Sequence, residues 1–171
     1  LEMLRAGLRD EFFAEMRRGL IPFLDPQTYG RSPLENSSFL VSSAHPDASL
    51  HGRGFVARLT GAAAELLSLW SLMMAGPQPF TVRDGELCLA FAPALPDWLF
   101  REDGTLSFVF LGQCRVTYHK AQLLRDGGRV ASVILQLADG DRLTLAGGVI
   151  GAPYAAMVRS GAIRGIDMNL E

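Results

Sequence analysis

The hydrophobic period of this chain changes once, at Gly76-Pro77, and that change constrains the fold more than any single motif. Upstream, apolar residues recur every three or four positions. Leu1, Leu4, Leu8, Phe12, Met16 and Leu20 form one such series, and Leu66, Leu67, Trp70, Met73 and Met74 form another within about 61–75. This spacing gathers them on one face of a helix. Pro22 and Pro26 close the first helix, and Gly76-Pro77 stops the second. From Phe80 onward the period becomes two, in short runs broken by turn residues, which is the pattern of antiparallel strands.

The runs are individually readable. "GELCLAF" turns Leu87, Leu89 and Phe91 to one side, "LSFVFLG" and "CRVTYHK" meet around Gly112-Gln113, and "RVASVILQL" and "RLTLAG" form a hairpin across Ala138-Asp139-Gly140-Asp141. Asp126-Gly127-Gly128 marks a further tight turn. Six or more strands after two principal helices predict an α+β, mainly β chain whose strands build a two-layer antiparallel sandwich or a barrel-like jelly roll. The expected boundary separates residues 1–78 from residues 79–171. Between the helices, residues 25–54 show no clear period and scatter proline, glycine, serine and asparagine. A connection of that length is expected to line a functional surface or to pack against protein outside the chain.

Composition excludes several function classes. With 171 residues and 49% hydrophobic content the chain can bury an ordinary core. A net charge of −2 with no Lys/Arg run argues against an electrostatic nucleic-acid binder. Two cysteines, Cys88 and Cys114, make neither a disulfide framework nor a four-thiolate zinc site, and both read as small core residues. No stretch reaches the roughly 18 apolar residues of a membrane span, and the first twenty residues lack a signal-peptide cleavage region. A cytoplasmic location without membrane contact is expected. Leu1 is not an initiator methionine, so the chain reads as a piece of a longer polypeptide.

Thr60-Gly61 stands where the second helix begins. A hydroxyl, a glycine that permits close approach and unpaired N–H groups suit an oxyanion, although Thr60 as an N-cap with Gly61 for packing satisfies the same pattern. "YGRSPLENSSF" clusters Tyr29, Arg31, Glu35 and Asn36, which suit sugar hydroxyls, with Ser37 and Ser38 as phosphate donors; a polar loop of local Asx and serine turns is the alternative. His51 suits phosphate, substrate or a structural loop role. His45 and His51 lack a third ligand nearby, so no metal is expected. Arg53 and Arg58 either add charge to the same mouth or stay solvated. Trp98 either stacks on a sugar or belongs to a turn, and His119 reads as structural or surface. Asp84, Asp97, Asp126, Asp139 and Asp141 all sit in turn-like sequence, so no catalytic residue is assigned.

Taken in order, "YGRSPLENSSFLVSSAHPDASLHGRGFVARLTGAAAELLSLW", "GPQPFTVRDGELCLAFAPALPDWLF" and "FVFLGQCRVTYHK" resemble the C-terminal part of the cellobiose phosphorylase-like enzymes, glycoside hydrolase family 94, in their 1,2-β-oligoglucan phosphorylase branch. The resemblance covers roughly residues 29–120. It implies the last helices of an (α/α) barrel followed by a jelly-roll β-sandwich. It further implies inverting phosphorolysis of β-glucosides to glucose 1-phosphate, with inorganic phosphate as co-substrate and no metal or other cofactor. Phosphate replaces the water of an inverting hydrolase, so one carboxylic acid suffices, and that acid lies earlier in the barrel.

Within the resemblance, Thr60-Gly61 matches the phosphate site and the Tyr29–Ser38 segment lies near the active site. The implied partners are a β-linked gluco-oligosaccharide, phosphate and the rest of the helical barrel, so the chain alone is expected to be inactive. Apolar surface on Leu4, Leu8, Phe12 and Met16 also makes a homo-oligomer an open expectation. The alternatives are a stand-alone carbohydrate-binding or interaction module without catalysis, and a remnant that joins a separately encoded barrel.

Overall fold

The computed structural model describes residues 1–19, 25–30, 37–57, 61–120 and 128–171. The chain divides into two compact units, Leu1–Leu69 and Trp70–Glu171. The division falls inside the second long helix rather than after residue 78.

In the first unit the opening amphipathic stretch is two helices, α1 (Glu2–Arg5) and α2 (Arg9–Gly19), not one. The break is at Gly7, whose φ of 78° leaves the helical region at no steric cost. Phe12, Phe13 and Met16 are buried while Leu8 is exposed, so much of the apolar stripe expected to drive self-association is already covered. The segment read as lacking a period holds ordered pieces. Asp25 caps the single-turn helix α3 (Pro26–Tyr29) by accepting from Gln27 N and Thr28 N. Strand β1 (Ser37–Leu40) then pairs antiparallel with β2 (Gly54–Ala57), with Ser37 opposite Ala57 and Phe39 opposite Phe55. Between the strands, Asp47 accepts from Ser49 N and caps a 3-10 turn over Ala48–Leu50. Local side-chain caps of this kind leave no trace in hydrophobic periodicity.

Helix α4 (Gly61–Ala75) starts and stops where the sequence places it. Its apolar stripe is only partly core: Met73 and Met74 are buried, but Leu67 is 69% exposed and Trp70 is 39% exposed. The last four carbonyls of a helix lack intrahelical donors, and all four of these find one. Gly76 N donates to Leu72 O, Ala94 N to Met73 O, Ala92 N to Ala75 O, and the buried Tyr118 hydroxyl to Met74 O at 2.5 Å. Three of the four donors come from the β region, which is why the end of α4 belongs to the second unit.

That unit contains a three-stranded sheet and a five-stranded sheet. Strands β3 (Phe80–Arg83), β4 (Glu86–Ala90) and β9 (Val149–Ile150) make the first, in that order. The second takes β5 (Thr105–Phe110), β6 (Cys114–Lys120), β7 (Val130–Gln136), β8 (Arg142–Ala146) and β10 (Gly165–Leu170), in the order β5-β6-β10-β7-β8. The α+β, mainly β expectation holds. The expectation of antiparallel pairing throughout fails at one place, since β10 runs parallel to β6 and antiparallel to β7. A parallel neighbour requires a long crossover, and the chain between β6 and β10 supplies one that includes helix α5 (Tyr154–Ser160). The Asp126-Gly127 part of the expected tight turn lies outside the described residues.

Alternation along these strands sorts the five-stranded sheet into two faces. Cys114, Val116, Tyr118, Val133, Leu135, Ile166, Met168 and Leu170 join one core with Leu89, Phe91, Ile150 and the α5 residues Ala155 and Val158. Phe91 and Phe110 meet edge to face there at 5.0 Å between ring centroids. Cys114 is fully buried as expected, and Cys88 is half-buried.

Candidate functional site

The phosphate and sugar residues chosen from sequence fall in the first unit. The β1–β2 hairpin decides their arrangement. Ser37 pairs with Ala57, and Gly61, the first residue of α4, is four residues beyond Ala57. A chain of that length spans at most about 14 Å. The start of α4, more than twenty residues from Ser37 in sequence, therefore lies within about 14 Å of the Ala57 backbone with which Ser37 pairs. Thr60, Arg31, Glu35 and Asn36 lie outside the described residues.

The other sequence-chosen residues have definite places. Tyr29 is 1% exposed, so its ring is not an open platform in this chain. His51 Nε2 is 2.7 Å from His45 O, and His45 Nδ1 accepts from Asp47 N, so both rings serve the 42–51 loop. Asp25 sits below its ordinary pKa because the Thr28 hydroxyl and the Thr28 and Gln27 amides donate to it. Arg53 lies beside Gly30, with Nε 3.6 Å from where a Cβ would stand. Trp98 lies in a 3-10 turn over Asp97–Leu99, and Asp97 is held by the Lys120 ammonium, which also rests 4.8 Å over the Phe100 ring. No group of three potential metal ligands occurs among the described residues, and none of the described helices is long and apolar enough to cross a membrane.

In the second unit the structure reveals a polar cluster that sequence reasoning passed over. Asp167, on the solvent face of β10, accepts from Gln136 Nε2 on β7 at 2.9 Å and from Arg142 Nη2 on β8 at 3.1 Å. Its other oxygen lies 3.0 Å from His119 Nε2 on β6. Burial pulls the Asp167 carboxyl upward. The hydrogen bonds from His119 and Gln136 and the charges of His119 and Arg142 outweigh that pull and leave it below its ordinary pKa. The carboxylate is thus kept ionised, the opposite of what a general acid needs. Ser107 with Thr117 and Asn169 with Ser132 extend the polar face to either side. The signal available in sequence was the alternation in "GIDMNL", which turns Ile166, Met168 and Leu170 inward and Asp167 and Asn169 outward.

No protein-family model matches the chain, and no curated protein matches it.

Proposed function

We propose that this chain is the C-terminal part of a carbohydrate phosphorylase that performs inverting phosphorolysis of β-glucosides to glucose 1-phosphate. In this reading it contributes part of the phosphate site. The observation that supports it is the Ser37–Ala57 pairing, which leaves only a four-residue connection between the segment that the resemblance puts near the active site and the helix start that it assigns to phosphate. Serine hydroxyls and the free N–H groups of a helix start are donors that suit an oxyanion. Helix α4 follows with a continuous 15-residue body, long enough for its N-terminal N–H groups and dipole to act together. The β strands of the second unit supply the jelly-roll sandwich in this reading, and α4 is a late barrel helix. The general acid and the remaining sugar subsites belong to the earlier barrel, and inorganic phosphate is the only co-substrate.

The reading is tested on the full-length enzyme. Thr60→Ala should raise the phosphate concentration needed for half-maximal phosphorolysis by about one to two decades, the equivalent of losing one charge-assisted hydrogen bond of roughly 1.5–3 kcal/mol. Its KM for the glucan should change little. A folded Thr60→Ala enzyme with wild-type phosphate dependence would make Thr60 a helix cap and nothing more.

A further inference from the structure

We propose that β5, an outer strand of the five-stranded sheet, is an interface strand that pairs antiparallel with β5 of a second copy of this chain and joins the two sheets into one. The interface lies wholly in the second unit and stands independently of the phosphorylase reading.

Hydrogen-bond parity shows what the edge leaves open. Lys120 N donates to Gly104 O, whereas Arg115 N, also on β6, turns away from β5 to Arg164 O. Bonded pairs alternate along an antiparallel ladder, so Leu106, Phe108 and Phe110 direct their N–H and C=O groups to β6, and Thr105, Ser107 and Val109 direct theirs outward. Thr105 is already served, because its N–H donates to Asp103 Oδ1 at 2.9 Å and its carbonyl accepts from Arg101 N. The backbone groups of Ser107 and Val109 that face outward have no partner among the described residues. Natural proteins protect such edges with charge, proline or shortness. In this unit β8 carries Arg142, β3 carries Arg83 and β9 has two residues. The six residues of β5, "TLSFVF", carry neither charge nor proline, and Val109 is 57% exposed.

The open groups fit a second copy. A two-fold axis at Phe108 sets Ser107 opposite the second copy's Val109, and Val109 opposite the second copy's Ser107. The two outward N–H and two outward C=O groups of each chain then close four hydrogen bonds between the copies, and none is left over. The same register sets Thr105 opposite the second copy's Leu111. Thr105 has its partners already and Leu111, at a φ of 52°, begins the β5–β6 turn, so the pairing ends at matching points in both directions. Phe108 meets its own copy in a non-hydrogen-bonded pair, where Cα atoms stand about 4.5 Å apart and aromatic side chains attract. No like charges come opposite one another, because Thr105–Phe110 is uncharged. An unrelated strand would have to reproduce this match at both ends, and a second β5 supplies it by symmetry.

The test is sedimentation velocity of the 171-residue chain over a concentration series, with disulfide trapping to read the register. The wild-type chain should show a reversible monomer–dimer equilibrium. Val109→Pro removes an N–H that points away from β6, so the ladder within the chain is kept while the dimer loses two of its hydrogen bonds, and the dissociation constant should rise by about tenfold or more. Val109→Lys keeps the backbone donors and should also weaken the dimer by about tenfold or more. In a Cys88→Ser background, a mixture of Ser107→Cys and Val109→Cys chains should cross-link on mild oxidation faster than either chain alone, because only unlike positions stand directly opposite. A chain that is monomeric throughout the series would overturn the proposal and leave the edge to a strand of another polypeptide. A dimer unaffected by Val109→Lys would overturn it by placing association on another surface, and equal cross-linking by either single variant alone would overturn the register.

Discussion

Tyr118→Phe isolates one hydrogen bond at the junction of helix and sheet. The Tyr118 side chain is fully buried, and its hydroxyl is the donor that reaches Met74 O, at 2.5 Å. The other three carbonyls of the last turn of α4 have backbone donors of their own. Removing the hydroxyl keeps the ring, its stacking on Phe108 at 5.9 Å and nearly all its apolar burial. What is lost is the donor, and a buried carbonyl left without one costs roughly 1–3 kcal/mol. With about 2 kcal/mol as the central figure and a two-state unfolding of a chain this size, Tm should fall by roughly 4–8 °C. Urea denaturation should show a lower midpoint with an unchanged slope, because the surface exposed on unfolding is the same. A Tm within about 1 °C of wild type would refute the reasoning, since Met74 O would then have another donor. Burial also pushes the Tyr118 phenol well above its ordinary pKa of 10.0. Its contribution to stability is therefore complete below that value and declines as pH rises beyond it, because the unfolded chain ionises first.

Three further outcomes are expected. Asp167→Asn should cost about 1–2 kcal/mol in urea denaturation at neutral pH, a range reduced because Arg142 is largely exposed. The folded pKa of Asp167 is lowered, so its contribution is present above the unfolded value of 3.8 and is lost as pH falls through the folded value; the gap between wild type and variant should close in acid. Burial pushes the Cys114 thiol up to about 11, so a thiol reagent at neutral pH should modify Cys88 in the native protein and Cys114 only on unfolding. The 171-residue chain alone should release no glucose 1-phosphate from β-glucosides with phosphate present, as measured by a coupled assay; release would place a general acid within these residues.

Much of the fold was legible because local rules agreed with the tertiary structure. Helix α4 ends where Gly76-Pro77 says it must, and the β5–β6 and β7–β8 hairpins turn where Gly112-Gln113 and Ala138–Asp141 place them. Helix α5 has seven residues, too few to be marked by propensity alone, and forms in the context of the core that takes Ala155 and Val158. The missed parallel neighbour follows from that helix, because only a crossover returns β10 beside β6 in the same direction. Leu67 and Trp70 satisfy the helical period yet are exposed, since periodicity names a face without saying what covers it. The candidate site was legible as two motifs and not as one place. What links them is the pairing of Ser37 with Ala57, a register that no local rule supplies. The Asp167 cluster was hidden for the same reason, with partners on three other strands.

The phosphorylase reading is tested most directly by incubating the full-length polypeptide with a β-linked gluco-oligosaccharide and inorganic phosphate and resolving the anomer of the product by proton NMR. Inversion of a β-glucoside predicts α-glucose 1-phosphate, formed in proportion to glucan consumed and only when phosphate is present. Free glucose formed at the same rate without phosphate, or no turnover by a folded full-length protein, would contradict it.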